Sequence, residues 1–338
     1  MLITNDSDKQ GFSNVWVMAE VAEGGDVHPV THELLGAARK LAALRKSKVG
    51  AVIFGANVKK LAASLIPYGA DIVIAVEDPR LALFNDELEG RLLNRLITRY
   101  KPEIILCGAT TRGRALAPRV AVMAVCGLTA DCTGLDIDPE NGDLLQTRPA
   151  FGGNIMATIR CSKHRPQMAT VRPRVMKAPA PDASRTGQII FEDVASDDAA
   201  KIKRILEYIR NTEATVNLAD ASIIVSGGRA MKGSDGFKVI EKLAAKIGAA
   251  VGASRAAVDA GWISYAHQVG QTGQTVQTKL YIACGISGQI QHLVGMQSCE
   301  TIIAIDKNAD TPMMQMADIA VTGDLFEIVP ALTELVGK

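Results

Sequence analysis

Ala221-Ser222-Ile223-Ile224-Val225-Ser226-Gly227-Gly228-Arg229 opens on an apolar, β-branched run, closes it with two glycines and then delivers a cation. A short apolar run bounded by glycine reads as a buried strand. Glycines at a strand's C-terminal end let backbone N–H groups approach an anionic ligand, and a following helix directs its positive end to the same place. Similar turns recur downstream. AAVGA, which ends on Gly252-Ala253, leads into Ser254-Arg255, LYIAC into Gly285-Ile286-Ser287-Gly288-Gln289-Ile290-Gln291-His292, and TIIAID ends on Asp306. Helical patterns over 235–248, from 288 and over 323–336 separate these runs, which predicts a small α/β unit built on a parallel sheet. Any one such turn is commonplace between a strand and a helix; their order is what distinguishes them.

The same rhythm runs upstream. VWVMAE (15–20), VGAVIFG (49–55), DIVIAVE (71–77) and EIILCG (103–108) read as strands. Helices are predicted over 31–48, near 57–65, across 86–100 and over 113–125. Alternation of this kind gives a parallel sheet covered on both faces. Residues 127–175 then read as several strands in succession, expected to complete or extend that sheet. APAPDASRTG (178–187) has linker composition, QIIFEDV reads as one further strand, and 197–213 as charged, helical or irregular chain. The expected fold class is α/β with two domains, each a mainly parallel sheet flanked by helices, and the C-terminal one Rossmann-like or flavodoxin-like. The boundary is placed at 208, giving domains 1–208 and 209–338.

Composition narrows the function. The 338 residues carry 37 basic and 36 acidic side chains, and aromatics make up only 4%. There is neither the basic excess nor the stacking surface of a nucleic-acid binder. The six cysteines contain no CxxC pair and suggest reduced thiols with no metal site. The N-terminal stretch lacks a signal-peptide pattern, and no apolar run approaches the ~20 residues that span a bilayer, so a soluble, cytoplasmic protein is expected.

Each candidate site residue has a bland reading beside the functional one. Arg229 suits phosphate, but its Gly-Gly turn serves equally as a tight βα connection. Arg255 can simply pair with Asp259 four residues on. Gln268-Val269-Gly270-Gln271-Thr272-Gly273-Gln274-Thr275 is either a plain polar loop or a set of uncharged donors and acceptors for a heteroaromatic ring. His292 falls early on a helix behind a glycine turn, where it can stabilise negative charge on a cofactor. Asp306 at a strand end suits ribose hydroxyls, and Asp324-Leu325 opens the last helix, with Asp324 serving as its N-cap or as a ligand contact. Jointly, four glycine-bearing turns after successive strands and a carboxylate after the next describe a site for an extended dinucleotide. Paired carboxylates, a nucleophile–base set and metal spacing are missing from this list, so a redox cofactor that brings its own chemistry fits best. A non-redox AMP- or nucleotide-binding module explains the turns and Asp306 but gives Arg255, Thr272 and His292 no shared purpose. A dehydrogenase acting alone would need a compact GxGxxG, which the sequence lacks.

SGGR, GASRAAVDAGW, QVGQTGQTV and LYIACGISGQIQHLVGM, in this order, resemble the α-subunit family of electron transfer flavoproteins; CGATTRGRALAPRVA (107–121) extends the resemblance, more loosely, over nearly the whole chain. The resemblance implies a heterodimer with a β subunit and FAD bound mainly by the C-terminal domain. Carried over by position, contacts fall on Arg229, Ser254, Arg255, Val269, Gly270, Gln271, Thr272, Ser287, Gly288, Gln289, Ile290, Gln291, His292, Asp306, Asp324 and Leu325. It sets Arg255 against the isoalloxazine, Thr272 near N5 and His292 near the C2 carbonyl, as the residues that act on the flavin. Positive charge beside the ring's pyrimidine end would raise the first-electron potential. Asp306 stands where many relatives carry Asn. LTADCTGLDID (128–138) and RPAFGGNIMATI (148–159) look like the anaerobic branch that works with acyl-CoA dehydrogenases such as butyryl-CoA dehydrogenase. Some members of that branch oxidise NADH and bifurcate its electrons through a second FAD held largely by the β subunit. Arg148 would then approach that second flavin, or be a surface cation on a strand. The first domain would serve as the docking platform for the β subunit.

Overall fold

The computed structural model describes residues 11–22, 24–150, 155–199, 202–203, 205, 218 and 221–336. The chain divides into two compact units, Met1–Tyr208 and Ile209–Lys338. Among the described residues no helix is long and apolar enough to cross a membrane.

The first unit runs β1 (Ser13–Ala19), α1 (Pro29–Arg45), β2 (Val49–Gly55), α2 (Lys59–Ser64), β3 (Ile72–Glu77), α3 (Asp86–Tyr100), β4 (Pro102–Gly108), α4 (Thr111–Met123), β5 (Leu128–Cys132), β6 (Gly134–Ile137), β7 (Leu144–Ala150), β8 (Ile155–Arg160), β9 (Gln167–Val171) and β10 (Gln188–Glu192). Seven strands form one sheet in the order β10-β3-β2-β1-β4-β9-β5, with every neighbouring pair parallel. Strand β1 shows why both faces are covered. Val15, Val17 and Ala19 enter the core beneath α1 and α2, whereas Trp16 and Met18 enter the one beneath α3 and α4. Side chains alternate along a strand, so a sheet buried on both sides needs apolar residues at every position. Helix α3 starts where Asn85 accepts hydrogen bonds from the Glu87 and Leu88 N–H groups, with Asp86, Glu87 and Glu89 in its first turn.

One expectation needs correcting. The strands of 127–175 do not all extend the parallel sheet. Only β5 and β9 join it; β6, β7 and β8 form a separate antiparallel sheet. The cause is loop length, because parallel neighbours need a long crossover whereas short turns allow only antiparallel pairing. The β6–β7 turn is made by Asp138, whose carboxylate accepts from Glu140 N and Asn141 Nδ2, and closes at Gly142 with φ +74°. Beyond the proline-rich stretch, β10 pairs in parallel with β3 at the sheet's far edge. Most of 197–213 lies outside the described residues.

The second unit runs β11 (Ile223–Gly227), α5 (Ser234–Ile247), β12 (Ala250–Ala253), α6 (Arg255–Asp259), β13 (Leu280–Cys284), α7 (Ile290–Met296), β14 (Ile302–Asp306), α8 (Pro312–Met316), β15 (Ile319–Thr322) and α9 (Leu325–Leu335). Its five-stranded sheet is parallel throughout, in the order β12-β11-β13-β14-β15. Ile224, Tyr281, Ile302 and Ala304 face a core shared with α7 and α8, and Val225, Ile282, Cys284 and Ile305 face one shared with α5 and α9. Counted within the unit, this is the flavodoxin-like order 2-1-3-4-5, whose topological switch point lies between the first and third strands, here β11 and β13.

Candidate functional site

At that switch point the chain leaves β11 through Gly228 and β13 through Gly285. Gly228 N donates to Cys284 O at 2.9 Å, and a Cβ on Gly228 would stand 2.0 Å from Gly285 O. Only a residue without a side chain lets the two turns close on each other. Gly285 itself has φ +63°. Beside them Ser254 N donates to Gly227 O at 3.0 Å, which fixes the start of α6 against the end of β11.

These strand ends border a cavity of about 850 Å³, within the range of small-molecule and cofactor sites. Arg229 lines it from the β11 turn, and Ser254 and Arg255 from the start of α6. Val269, Gly270, Gln271 and Thr272 form another wall; Ser287, Gln289, Gln291 and His292 follow from the β13 turn, and Asp306 from the end of β14. The glycine turn at 268–275 does not follow a strand of the sheet, contrary to the sequence expectation. It docks beside the end of β12, with Val269 N donating to Ala253 O at 2.9 Å. The loop is braced internally: Gln268 Nε2 donates to Thr272 Oγ1 at 3.0 Å, Gln274 Nε2 to Ala266 O at 2.7 Å, and the Tyr265 hydroxyl to Thr272 O. Gln271 N donates to Gln291 O at 2.7 Å, tying the loop to α7.

Gly288, Ile290, Asp324 and Leu325 do not line this cavity. Ile290 is 62% exposed, whereas Leu325 is buried in the core with α5 and packs over Gly285. Gly288 lies against the backbone of Met313. Asp324 is the N-cap of α9, accepting from Phe326 N at 2.9 Å, and pairs with Lys307 at 2.8 Å. The cavity also takes in Lys232, Asp259, Asn308 and Thr311, which sequence reasoning did not select. One of these, Asn308, had a visible signal. Asp306 Oδ1 accepts from Asn308 N and Asn308 Oδ1 from Asp310 N, so the pattern Asp-Lys-Asn-Ala-Asp marks a loop continuing from the strand end.

The site is cationic at its rim and neutral at its base. Arg255 Nε pairs with Asp259 Oδ2 at 3.2 Å, so the bland reading of this arginine is also true, but both side chains are mostly exposed and the pair is weak. His292 is buried, and loss of solvent brings its pKa down to about 4, against a lesser opposing pull from the Val269 carbonyl. It therefore offers a neutral ring nitrogen to the cavity, and positive charge must come from Arg229, Lys232 and Arg255. Its Nε2 lies 3.0 Å from the Tyr281 hydroxyl, while Nδ1 has no well-formed hydrogen bond. Ser254 stands at the N-cap of α6, yet its buried hydroxyl makes no capping bond. Unpaired polar atoms beside a cationic cavity are what a ligand with anionic and hydrogen-bonding groups would satisfy.

Comparison with known proteins gives this geometry its context. Residues 15–199 match the family model described as electron transfer flavoprotein domain, and residues 217–297 the one described as electron transfer flavoprotein FAD-binding domain. The chain is 53% identical to the electron transfer flavoprotein subunit alpha of Thermoanaerobacterium thermosaccharolyticum, over 97% of this chain and 98% of that protein. It is 45% identical to the protein of the same name from Megasphaera elsdenii, covering 98% of each. It is 40% identical to the acryloyl-CoA reductase electron transfer subunit beta of Anaerotignum propionicum, again covering 98% of each. With both of its units matched and relatives this similar along nearly their whole length, the chain belongs to the α-subunit family of electron transfer flavoproteins.

Proposed function

We propose that the chain binds FAD in the cavity of its C-terminal unit and, with a β subunit, carries electrons between a donor and an acyl-CoA dehydrogenase or another redox partner. The observation that carries this reading is the convergence of Arg229, Ser254, Arg255, Thr272, His292 and Asp306, from five separate stretches of chain, on one cavity at a topological switch point. Bound there, FAD would supply the redox chemistry. The protein's own groups bind and tune. Arg229, Lys232 and the glycine turns suit the pyrophosphate, and Asp306 accepts from ribose. A carboxylate accepts there as an amide oxygen would, so Asp306 in place of Asn is compatible with binding. Arg255 supplies positive charge, the braced Thr272 loop supplies neutral donors and acceptors, and the buried His292 supplies a neutral ring nitrogen. In this reading Gly288, Ile290, Asp324 and Leu325 shape the turn and the last helix from outside the cavity. The N-terminal unit serves as the docking platform for the β subunit. The test is the flavin content of the purified protein: a yellow protein that releases FAD supports the reading, and a colourless one that releases AMP supports the nucleotide-module alternative.

A second reading adds NADH oxidation and electron bifurcation through a further FAD held with the β subunit. It is favoured by a cluster at the end of β5. Arg172 Nη2 lies 2.6 Å and Arg114 Nη2 3.9 Å from Asp131, and the charge of Arg148 on β7 also acts on that carboxylate. Burial raises the Asp131 carboxyl, but the three arginines hold it below its usual range, leaving more positive than negative charge at this spot. The neighbouring loop 151–154 lies outside the described residues. Anaerobic NADH titration of the αβ complex decides the matter. Two FAD bleached by NADH support bifurcation or NADH oxidation; one FAD, untouched by NADH and reduced through a dehydrogenase, leaves a simple shuttle.

A further inference from the structure

Tyr281 is the bulkiest fully buried side chain among the described residues, in the second strand of the β11/β13 switch point. A phenol in that position needs a partner for its hydroxyl. The partner is His292 Nε2 at 3.0 Å, with the rings 6.2 Å apart and inclined at 60°. Burial raises the phenol's pKa, so it remains an O–H group. The imidazole, by contrast, is neutral at pH 7, with a single ring proton to place.

Two placements are available. If Nε2 carries the proton, it donates to the phenol oxygen, and the phenol hydrogen must find another acceptor in the core. If Nδ1 carries it, the phenol hydrogen goes to the Nε2 lone pair, and both buried groups are satisfied by one bond. The surroundings favour the second placement. The Val269 carbonyl, in the cavity wall, acts on the imidazole as an acceptor and rewards a proton on the other ring nitrogen. On the phenol side, the nearby Ser226 hydroxyl from β11 lowers the phenol's pKa, but its oxygen has no well-formed hydrogen bond.

We propose that Tyr281 is a positioning residue that fixes the tautomer of His292, donating its hydroxyl hydrogen to Nε2 so that the ring proton sits on Nδ1, toward the cavity wall. The fixed tautomer gives the site a hydrogen-bond donor at a position where the alternative would present a lone pair. Its effect on a ligand rests on the flavin reading above, because a donor favours negative charge on a carbonyl oxygen of the ring. The tautomer itself is a property of this chain.

The test is Tyr281→Phe, which keeps the ring in its core and removes only the hydroxyl. The chain has five histidines, so selective ¹⁵N-histidine labelling of the full chain resolves them one by one. In the flavin-free protein the ring nitrogens of His292 should show the proton on Nδ1, and Tyr281→Phe should shift the tautomer ratio at least tenfold toward Nε2. A proton on Nε2 in the parent chain, or an unchanged ratio in the variant, would overturn the proposal. With FAD bound, Tyr281→Phe should lower the first-electron potential in the parent background and leave it unmoved in a His292→Ala background. Equal shifts in both backgrounds would mean that the hydroxyl acts only through packing, again overturning it. If the chain takes up no flavin, the cavity reading fails, while the histidine spectra still decide the tautomer.

Discussion

The two units present the same topological feature and finish it differently. In the N-terminal sheet the order reverses between β1 and β4, and in the C-terminal sheet between β11 and β13. Both places lie at the carboxyl ends of parallel strands, where open α/β sheets bind ligands. In the C-terminal unit glycines on both sides open the place into a cavity. In the N-terminal unit Glu20, the residue after β1, fills it. The Thr110 hydroxyl, which caps α4, reaches both Glu20 carboxyl oxygens at 2.8 and 2.9 Å, and a Cβ on Gly108 would stand 2.8 Å from Oε1. The helix end that would hold a ligand's anion holds the protein's own carboxyl. Topology thus offers a binding position twice, and in the N-terminal unit the Glu20 side chain occupies it.

The largest break in this comparison should come from Gly228→Val. Its Cβ would collide with Gly285 O at 2.0 Å, backbone against backbone, so the turns must part. We expect flavin affinity to fall at least a hundredfold, read as the flavin-to-protein ratio after gel filtration, with thermal melting as the control for folding. Glu20→Gln, at the equivalent place in the other unit, should leave that ratio unchanged.

Acid–base behaviour should separate the units with opposite signs. Burial raises the Glu20 carboxyl from 4.5 to about 7, opposed by the Thr110 bond and Arg112. The folded state therefore holds a proton that the unfolded state has lost, and stability falls as pH rises from 4.5 to 7. His292 runs the other way. Its folded pKa, about 4, lies below the ordinary 6.5, so stability is full above 6.5 and falls as pH drops toward 4. Each shift is worth about 3 kcal/mol across its window. Urea unfolding of Glu20→Gln across pH 4.5–7 should remove the first slope, and His292→Gln across pH 4–6.5 the second; parent-like slopes would show that other groups set the pH dependence.

The smallest structural effect with a clear functional one should be Arg255→Ala. Its exposed pairing with Asp259 is worth about 0.5 kcal/mol or less, so the melting temperature should hardly move. Losing a cation beside the ring should lower the first-electron potential by roughly 60 mV, a tenfold change in relative affinity for the one-electron reduced form. Spectroelectrochemical titration reads this directly, and an unmoved potential would place Arg255 outside the flavin's field.

How much of this could be read in advance depends on what holds each element. VGAVIFG (49–55) and residues 86–100 stand where the pattern puts them, because a continuous apolar run and a capped amphipathic helix carry their own boundaries. The antiparallel sheet of β6–β8 cannot be read from the apolar pattern, since pairing partners follow from loop geometry and not from strand propensity. Helix α8 and strand β15 went unread because they are five and four residues long, too short to show a period. The same limit runs through the site. Arg229, Arg255, His292 and Asp306 stand next to strand ends and glycine turns, which mark themselves. Lys232 and Thr311 reach the cavity through irregular chain, and Lys232 does so at a left-handed φ of 62° that nothing local foretells. The Tyr281–His292 bond joins a strand interior to a helix and exists only once both are packed.

We propose that the C-terminal switch point, and not the N-terminal one, holds the flavin. The most direct test is calorimetric titration of FAD into the deflavinated protein and into its Gly228→Val and Glu20→Gln variants. One tight site is expected, which Gly228→Val abolishes and Glu20→Gln preserves. FAD binding that survives Gly228→Val, or that disappears with Glu20→Gln in a normally folded protein, would contradict it.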